Sequence, residues 1–203
     1  MPLTVLIGLF VLAAAWLGPL PSIASHAFTA HMTMHLAVVA VAAPLIAWGV
    51  AGSSYDPVRL APRVFAPLPA SVVEFVAVWA WHAPALHQAA RQGAAAFAAE
   101  QVTFLVAGLW LWLAVFGGEP HVRLARAATG VVALLLTSMH MTLLGALLAL
   151  APRPLYGQGH SLSDQHVGGA LMLLVGGTVY LLGGLWLMVA LVRTLAPAQG
   201  ERR

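Results

Sequence analysis

Cysteine is absent from the 203 residues, and so is lysine. Without a thiol the chain can form neither disulfides nor thiolate metal sites, and a thiol-exchange carrier cannot be built from it. Charge of either sign is scarce: nine basic side chains, all arginine, and six acidic ones make up 7% of the chain. An ordinary soluble domain carries about a quarter charged residues. No nucleophile–base arrangement, phosphate loop or dinucleotide fingerprint can be found, which argues against an enzyme. What is present is overwhelmingly apolar, with 61% hydrophobic residues and a mean hydropathy of +0.90.

That composition belongs to a polytopic membrane protein, because a crossing takes about 20 mostly apolar residues. Six such segments can be marked off, at 3-20, 27-50, 68-85, 96-117, 127-151 and 166-192. The sequence therefore predicts an all-α transmembrane bundle of six spans forming one domain over 1-203. The first segment reads as a retained helix, since "MPLTVLIGLF" lacks a basic n-region and no small-x-small cleavage site follows "LGPLPS". With six spans, Arg59, Arg63, Arg123, Arg126, Arg193, Arg202 and Arg203 share one side, against Arg91 and Arg153 on the other. The positive-inside rule then puts both termini in the cytoplasm. A net charge of +3 spread over short loops implies the bilayer as partner and no nucleic acid.

Histidine is distributed unevenly on this map. Of nine, only His121 is cytoplasmic. His26, His31, His35, His82, His87, His160 and His166 fall on or near the outer face, and His140 lies near the middle of the fifth span. Ionisable groups inside a membrane are costly and mark function by default. The stretch "HAFTAHMTMHLAVV" is the richest. His31 and His35, spaced i,i+4, project from one helical face about a turn apart and can bind one metal ion. Met32 and Met34 lie on the two flanks of that face, roughly 80° off its centre, so either can join the shell.

"LTSMHMTLLGALL" makes a second cluster of Met139, His140 and Met141, whose methionines point in nearly opposite directions. His140 is the first choice for a third ligand, His82 the second, and a Met the fourth. Pro84 closes the third helix two residues after His82 and holds that imidazole at the interface. Glu100 can serve as ligand, proton carrier, partner of Arg91, or acceptor for an imidazole N–H. In "GHSLSDQHVGG", Ser163 or Asp164 reads as the N-cap of the sixth helix, with Asp164 and His166 as further ligand candidates. His87, His121 and His160 are expected outside the shell. Glycine pairs at 168-169, 176-177 and 183-184 form a smooth stripe for close helix packing.

A His and Met donor set without thiolate suits copper best, soft thioethers favouring Cu(I). Zinc through three histidines and bis-imidazole haem between His35 and His140 are the other chemistries open to these residues. A transporter of copper or protons would need polar groups continuing inward, where only Glu74 stands within a span.

The blocks "HMTMHLAVVAVAAPLIAWG", "WHAPALHQAA", "EQVTFLVAGLWLW", "LGALLALAPRPLY" and "DQHVGGALM", in order over about residues 28-190, resemble the CtaG-type cytochrome c oxidase assembly factors. That resemblance implies a non-enzymatic copper-binding protein of the bacterial inner (plasma) membrane, a metallochaperone that helps deliver copper to a haem-copper oxidase from the outer, periplasmic side. It implies an oxidase subunit and a periplasmic copper donor as partners, and it carries over His31, His35, His82, Glu100 and Asp164. Many relatives read E-H where this chain has Glu100-Gln101, which shifts weight to His140 and the methionines. A homo-oligomer is left open.

Overall fold

The computed structural model of the protein describes residues 2–156 and 161–195. His160, Arg202 and Arg203, and the side chains of His121 and Arg123, lie outside what is described. Among the described residues there is no strand. Helix α1 (Leu3–Leu17) stops at Gly18-Pro19 and short α2 (Leu20–Ala24) follows. Next, α3 (Phe28–Leu36), a π-helical stretch (Ala37–Ala42) and α4 (Ala43–Val50) run as one continuous helix. Proline opens α5 (Pro57–Leu60), α6 (Pro67–His82), α7 (Pro84–Gln92) and α9 (Pro120–Ala149), where its missing N–H has no helical acceptor to serve. Between α7 and α9 lies α8 (Ala94–Phe116). The last hydrophobic helix comprises α10 (Leu162–Leu171), a second π-helical stretch (Met172–Gly176) and α11 (Gly177–Leu195).

Among the described residues, four helices are long and apolar enough to cross a membrane: Phe28–Val50, Ala94–Phe116, Leu124–Ala149 and Leu162–Thr194. They match four of the six expected segments. The other two, 3-20 and 68-85, correspond to α1 and α6, apolar helices of 15 and 16 residues that are shorter than expected. Each is cut by a proline, Pro19 after α1 and Pro84 after α6. The residue before a proline is driven out of the α region, and Ala83 is indeed extended, at φ −66° and ψ 135°.

Pro44 explains the first π-helical stretch and what surrounds it. A proline inside a helix removes a donor and crowds the carbonyl four residues back. Here the turn widens, and Ala43 N–H bonds to Val38 O, five residues back. In that register Val39 O would accept from Pro44, which has no N–H. Two side chains from other helices take over: Trp112 Nε1–H reaches Val39 O at 3.1 Å and the Tyr180 hydroxyl at 3.2 Å. The same Tyr180 hydroxyl, with one proton to share between two acceptors, also contacts the buried carboxyl group of Glu74. One backbone irregularity thus joins α3–α4, α6, α8 and α11 at a single polar node.

The glycine stripe packs against helices, as its spacing suggests. A Cβ on Gly169 would lie 2.4 Å from Ala149 N and 2.8 Å from Gly145 O, and one on Gly145 would lie 2.5 Å from Leu173 N. Backbone therefore meets backbone where α9 crosses α10. Beside this seam Gln165 donates to Leu148 O and accepts from Leu155 N–H, and the His166 imidazole donates from Nε2 to Ala151 O at 2.9 Å. His166 ties the helix ends together here and does not join the cluster of His31, His87 and Glu100.

Candidate metal centre

The same periodicity that predicts one face for His31 and His35 builds the first wall of the site. Both rings are buried, at 2% and 0% exposure, on the inward side of α3. The break at Ala83-Pro84 builds the second wall. It leaves His82 on the last turn of α6 and turns the chain into α7, an amphipathic helix whose buried residues are His87 and Ala90. Glu100 and Phe104, one turn apart on α8, supply the third.

Ligand atoms of His31, His87 and Glu100 all lie within 4.8 Å of one another, and all three residues are buried. His31 Nε2 stands 3.7 Å from Glu100 Oε1, too far for a hydrogen bond and close to the spacing of two ligands each about 2.0–2.2 Å from one ion. The His31 ring centroid is 4.8 Å from that of His87 and 6.2 Å from that of His82, and His35 is 5.4 Å from His82. Four imidazoles and one carboxylate thus converge from four helices.

Neighbouring groups fix how these side chains face. His82 Nδ1 is 2.6 Å from Val78 O; a carbonyl can only accept, so Nδ1 carries the proton and Nε2 keeps a lone pair. Tyr156 donates to His82 O, and burial pushes its phenol above its usual range, so it remains a neutral donor. Phe28, Tyr156 and His87 pack as a ring wall, with Tyr156 centroids 4.9 Å from Phe28 and 4.2 Å from His87. Glu100 Oε2 accepts from Gln101 Nε2, and Gln101 Oε1 accepts from Trp16 Nε1, so α1 holds the carboxylate in place through one intermediary. A cavity of about 270 Å³ lined by His31, Glu100, Arg91, Ser25 and Phe97 among others reaches the cluster. Arg91 at its rim donates to Ala24 O and Ser25 O, closing the end of α2; no Arg91–Glu100 ion pair occurs among the described residues.

The other expected site residues are placed differently. Met139 is 68% exposed and faces out of the bundle. Met141, fully buried, packs toward Gly176, and Met32 toward Gly168, so both fill the seam with the last helix. Met34 is buried in the general core. His140 is buried on α9 with its ring 5.3 Å from Phe75, outside the trio above.

Asp164 does not cap its own helix. Ser161 takes that role, accepting from Asp164 N–H at 3.1 Å, while the Asp164 carboxylate accepts from Phe28 N–H at 2.6 Å and Thr29 N–H at 3.1 Å. It therefore caps α3, the helix that carries His31 and His35. His87, expected outside the shell, is the residue that sequence reasoning missed. The signal was available in "WHAPALHQAA": a proline break after His82 followed by a short amphipathic helix with His87 on its apolar face.

Helices of membrane-crossing length enclosing a buried imidazole–carboxylate cluster define an integral membrane protein with a candidate metal-binding site. Over residues 3–194 the chain matches the cytochrome c oxidase caa3 assembly factors (Caa3_CtaG), and it belongs to that family. No curated protein and no solved structure matches it.

Proposed function

We propose that this assembly factor acts by binding copper at the imidazole cluster and passing it to a haem-copper oxidase. The observation that carries the reading is the convergence of His31, His87 and Glu100 at the end of a cavity, with His35 and His82 adjoining. A chain without cysteine has imidazole, thioether and carboxylate as its metal donors, and imidazole serves copper in either oxidation state. Met32 and Met141 pack toward the last helix and Met139 faces out of the bundle, which supports a shell of nitrogen and oxygen in this reading. Haem between His35 and His140 fits less well, because Phe104 at 4.1 Å and His82 at 5.4 Å stand against the His35 ring where a macrocycle would lie.

In this reading the chain crosses the bacterial plasma membrane six times with both termini cytoplasmic. The cluster then faces the periplasm, where a copper donor loads it and an oxidase subunit accepts from it. The role is carriage rather than catalysis. Cells lacking the chain are expected to accumulate oxidase that contains haem and lacks copper, and the His31→Ala/His87→Ala double variant is expected not to restore the metal. Full copper content in the oxidase of cells carrying that variant would overturn the proposal.

A further inference from the structure

The cluster is not one shell of five donors. Its geometry separates into an outer trio and an inner pair that differ in charge, access and donor number. We infer that these are two metal stations: an outer one at His31, His87 and Glu100, and an inner one at His35 and His82 that takes a dehydrated, two-coordinate Cu(I) ion. The inference rests on the copper reading above and refines it.

The outer trio offers three ligand atoms within 4.8 Å of one another, one of them from a carboxylate, and His31 and Glu100 line the cavity. An arriving ion can keep a water or a donor's ligand on that side, and Glu100 offsets its charge. The inner pair has no carboxylate and does not line the cavity. His35 is fully buried, and neither of its ring nitrogens has a hydrogen-bond partner among the described residues. His82 has Nδ1 committed to Val78 O, so its unpartnered Nε2 is the coordinating atom. The two ring centroids are 5.4 Å apart. With metal–nitrogen bonds of about 2.0–2.1 Å, two imidazoles across one ion place their centroids roughly 6 Å apart, so the pair needs only a small adjustment. Phe104, 4.1 Å from His35 and 6.2 Å from His82, covers the pair with an apolar ring and supplies no further donor. Two neutral nitrogen ligands in a dry pocket suit a monovalent ion that accepts low coordination, and disfavour a hydrated divalent one.

The stations are adjacent. His31 and His35 differ by one helical turn, roughly 6 Å of rise, and His31 is 6.2 Å from His82. An ion can therefore exchange ligands one at a time: Glu100 and His87 are released as His82 is gained, His31 and His82 hold the ion between stations, and His31 is released as His35 is gained. Copper stays Cu(I) throughout, and no electron or proton donor is needed.

The test uses the full chain purified in detergent and loaded anaerobically with Cu(I), reading bound equivalents and the coordination number by X-ray absorption. Two equivalents are expected in the wild type. His87→Phe should keep one, two-coordinate with nitrogen ligands, and His35→Phe should keep one of higher coordination number. Native mass spectrometry of the wild type with Ag(I), a redox-silent mimic, needs no variant and should show two bound ions. A single equivalent in the wild type, lost alike in both variants, or one Ag(I) ion only, would overturn the two-station inference and leave the copper reading standing. No Cu(I) bound by the wild type at all would overturn both.

Discussion

The Asp164 carboxylate caps a helix that begins 136 residues earlier, accepting the N–H of Phe28 at 2.6 Å. Ala27, the residue at that helix's own N-cap position, has no side-chain acceptor to offer. The start of the helix bearing His31 and His35 is thus fixed from the last hydrophobic helix, and the register of the imidazole cluster depends on it. Replacing Asp164 by Asn keeps the shape and removes the charge. Charge-assisted hydrogen bonds are the strong ones, so the variant is expected to lose about 1–3 kcal/mol of stability and to unfold at lower temperature in detergent. An unchanged unfolding temperature would show that the clasp carries no weight.

At the crossing of α9 and α10 a methyl group has nowhere to go, since a Cβ on Gly169 meets backbone atoms at 2.4 and 2.8 Å. Gly169→Ala should therefore cost about 1–3 kcal/mol or more through forced separation of the helices. Gly184→Ala, whose nearest atom is a Leu135 methyl at 3.4 Å, should be tolerated. Equal folded yields of the two variants would contradict a backbone-to-backbone seam.

Much of this was legible in the sequence, and what was not has a common cause. The i,i+4 pair His31/His35 needs only helical period, and so do the opposite directions of Met139 and Met141, one exposed and one buried. Pro84 announced the end of α6. By contrast, the return of His87 to His31 depends on the angle at which α7 leaves that break, and Asp164 serves a helix far away in sequence. Neither is set by local pattern. The π-helical stretch could be suspected from Pro44, but its partners Trp112 and Tyr180 could not. The expected spans at 3-20 and 68-85 were drawn by hydropathy alone, and prolines shorten the helices actually formed there.

The arginine distribution predicts that a reporter fused after Arg203 is active only as a cytoplasmic reporter. A second fusion in the loop between α9 and α10 should behave as periplasmic. The reverse pattern would invert the membrane orientation and place the cluster on the wrong side for a periplasmic donor.

Imidazole binds a metal only when neutral, and each binding event then displaces whatever proton the ligand carried. The free imidazole range is centred near 6.5. Burial disfavours the charged imidazolium, so copper affinity should hold as pH falls through that range and weaken only below it, by about tenfold per unit for each proton displaced. Affinity measured by competition with a chromogenic Cu(I) chelator checks this. An affinity still constant well below the free imidazole range would point to thioether ligands instead.

The most direct test of the central claim is anomalous diffraction at the copper edge from crystals of the copper-loaded chain. The structure predicts anomalous density between His31, His87 and Glu100 and beside His35 and His82, with none at Met139 or His166. Copper located elsewhere, or a loaded crystal with no anomalous peak at these imidazoles, would contradict it.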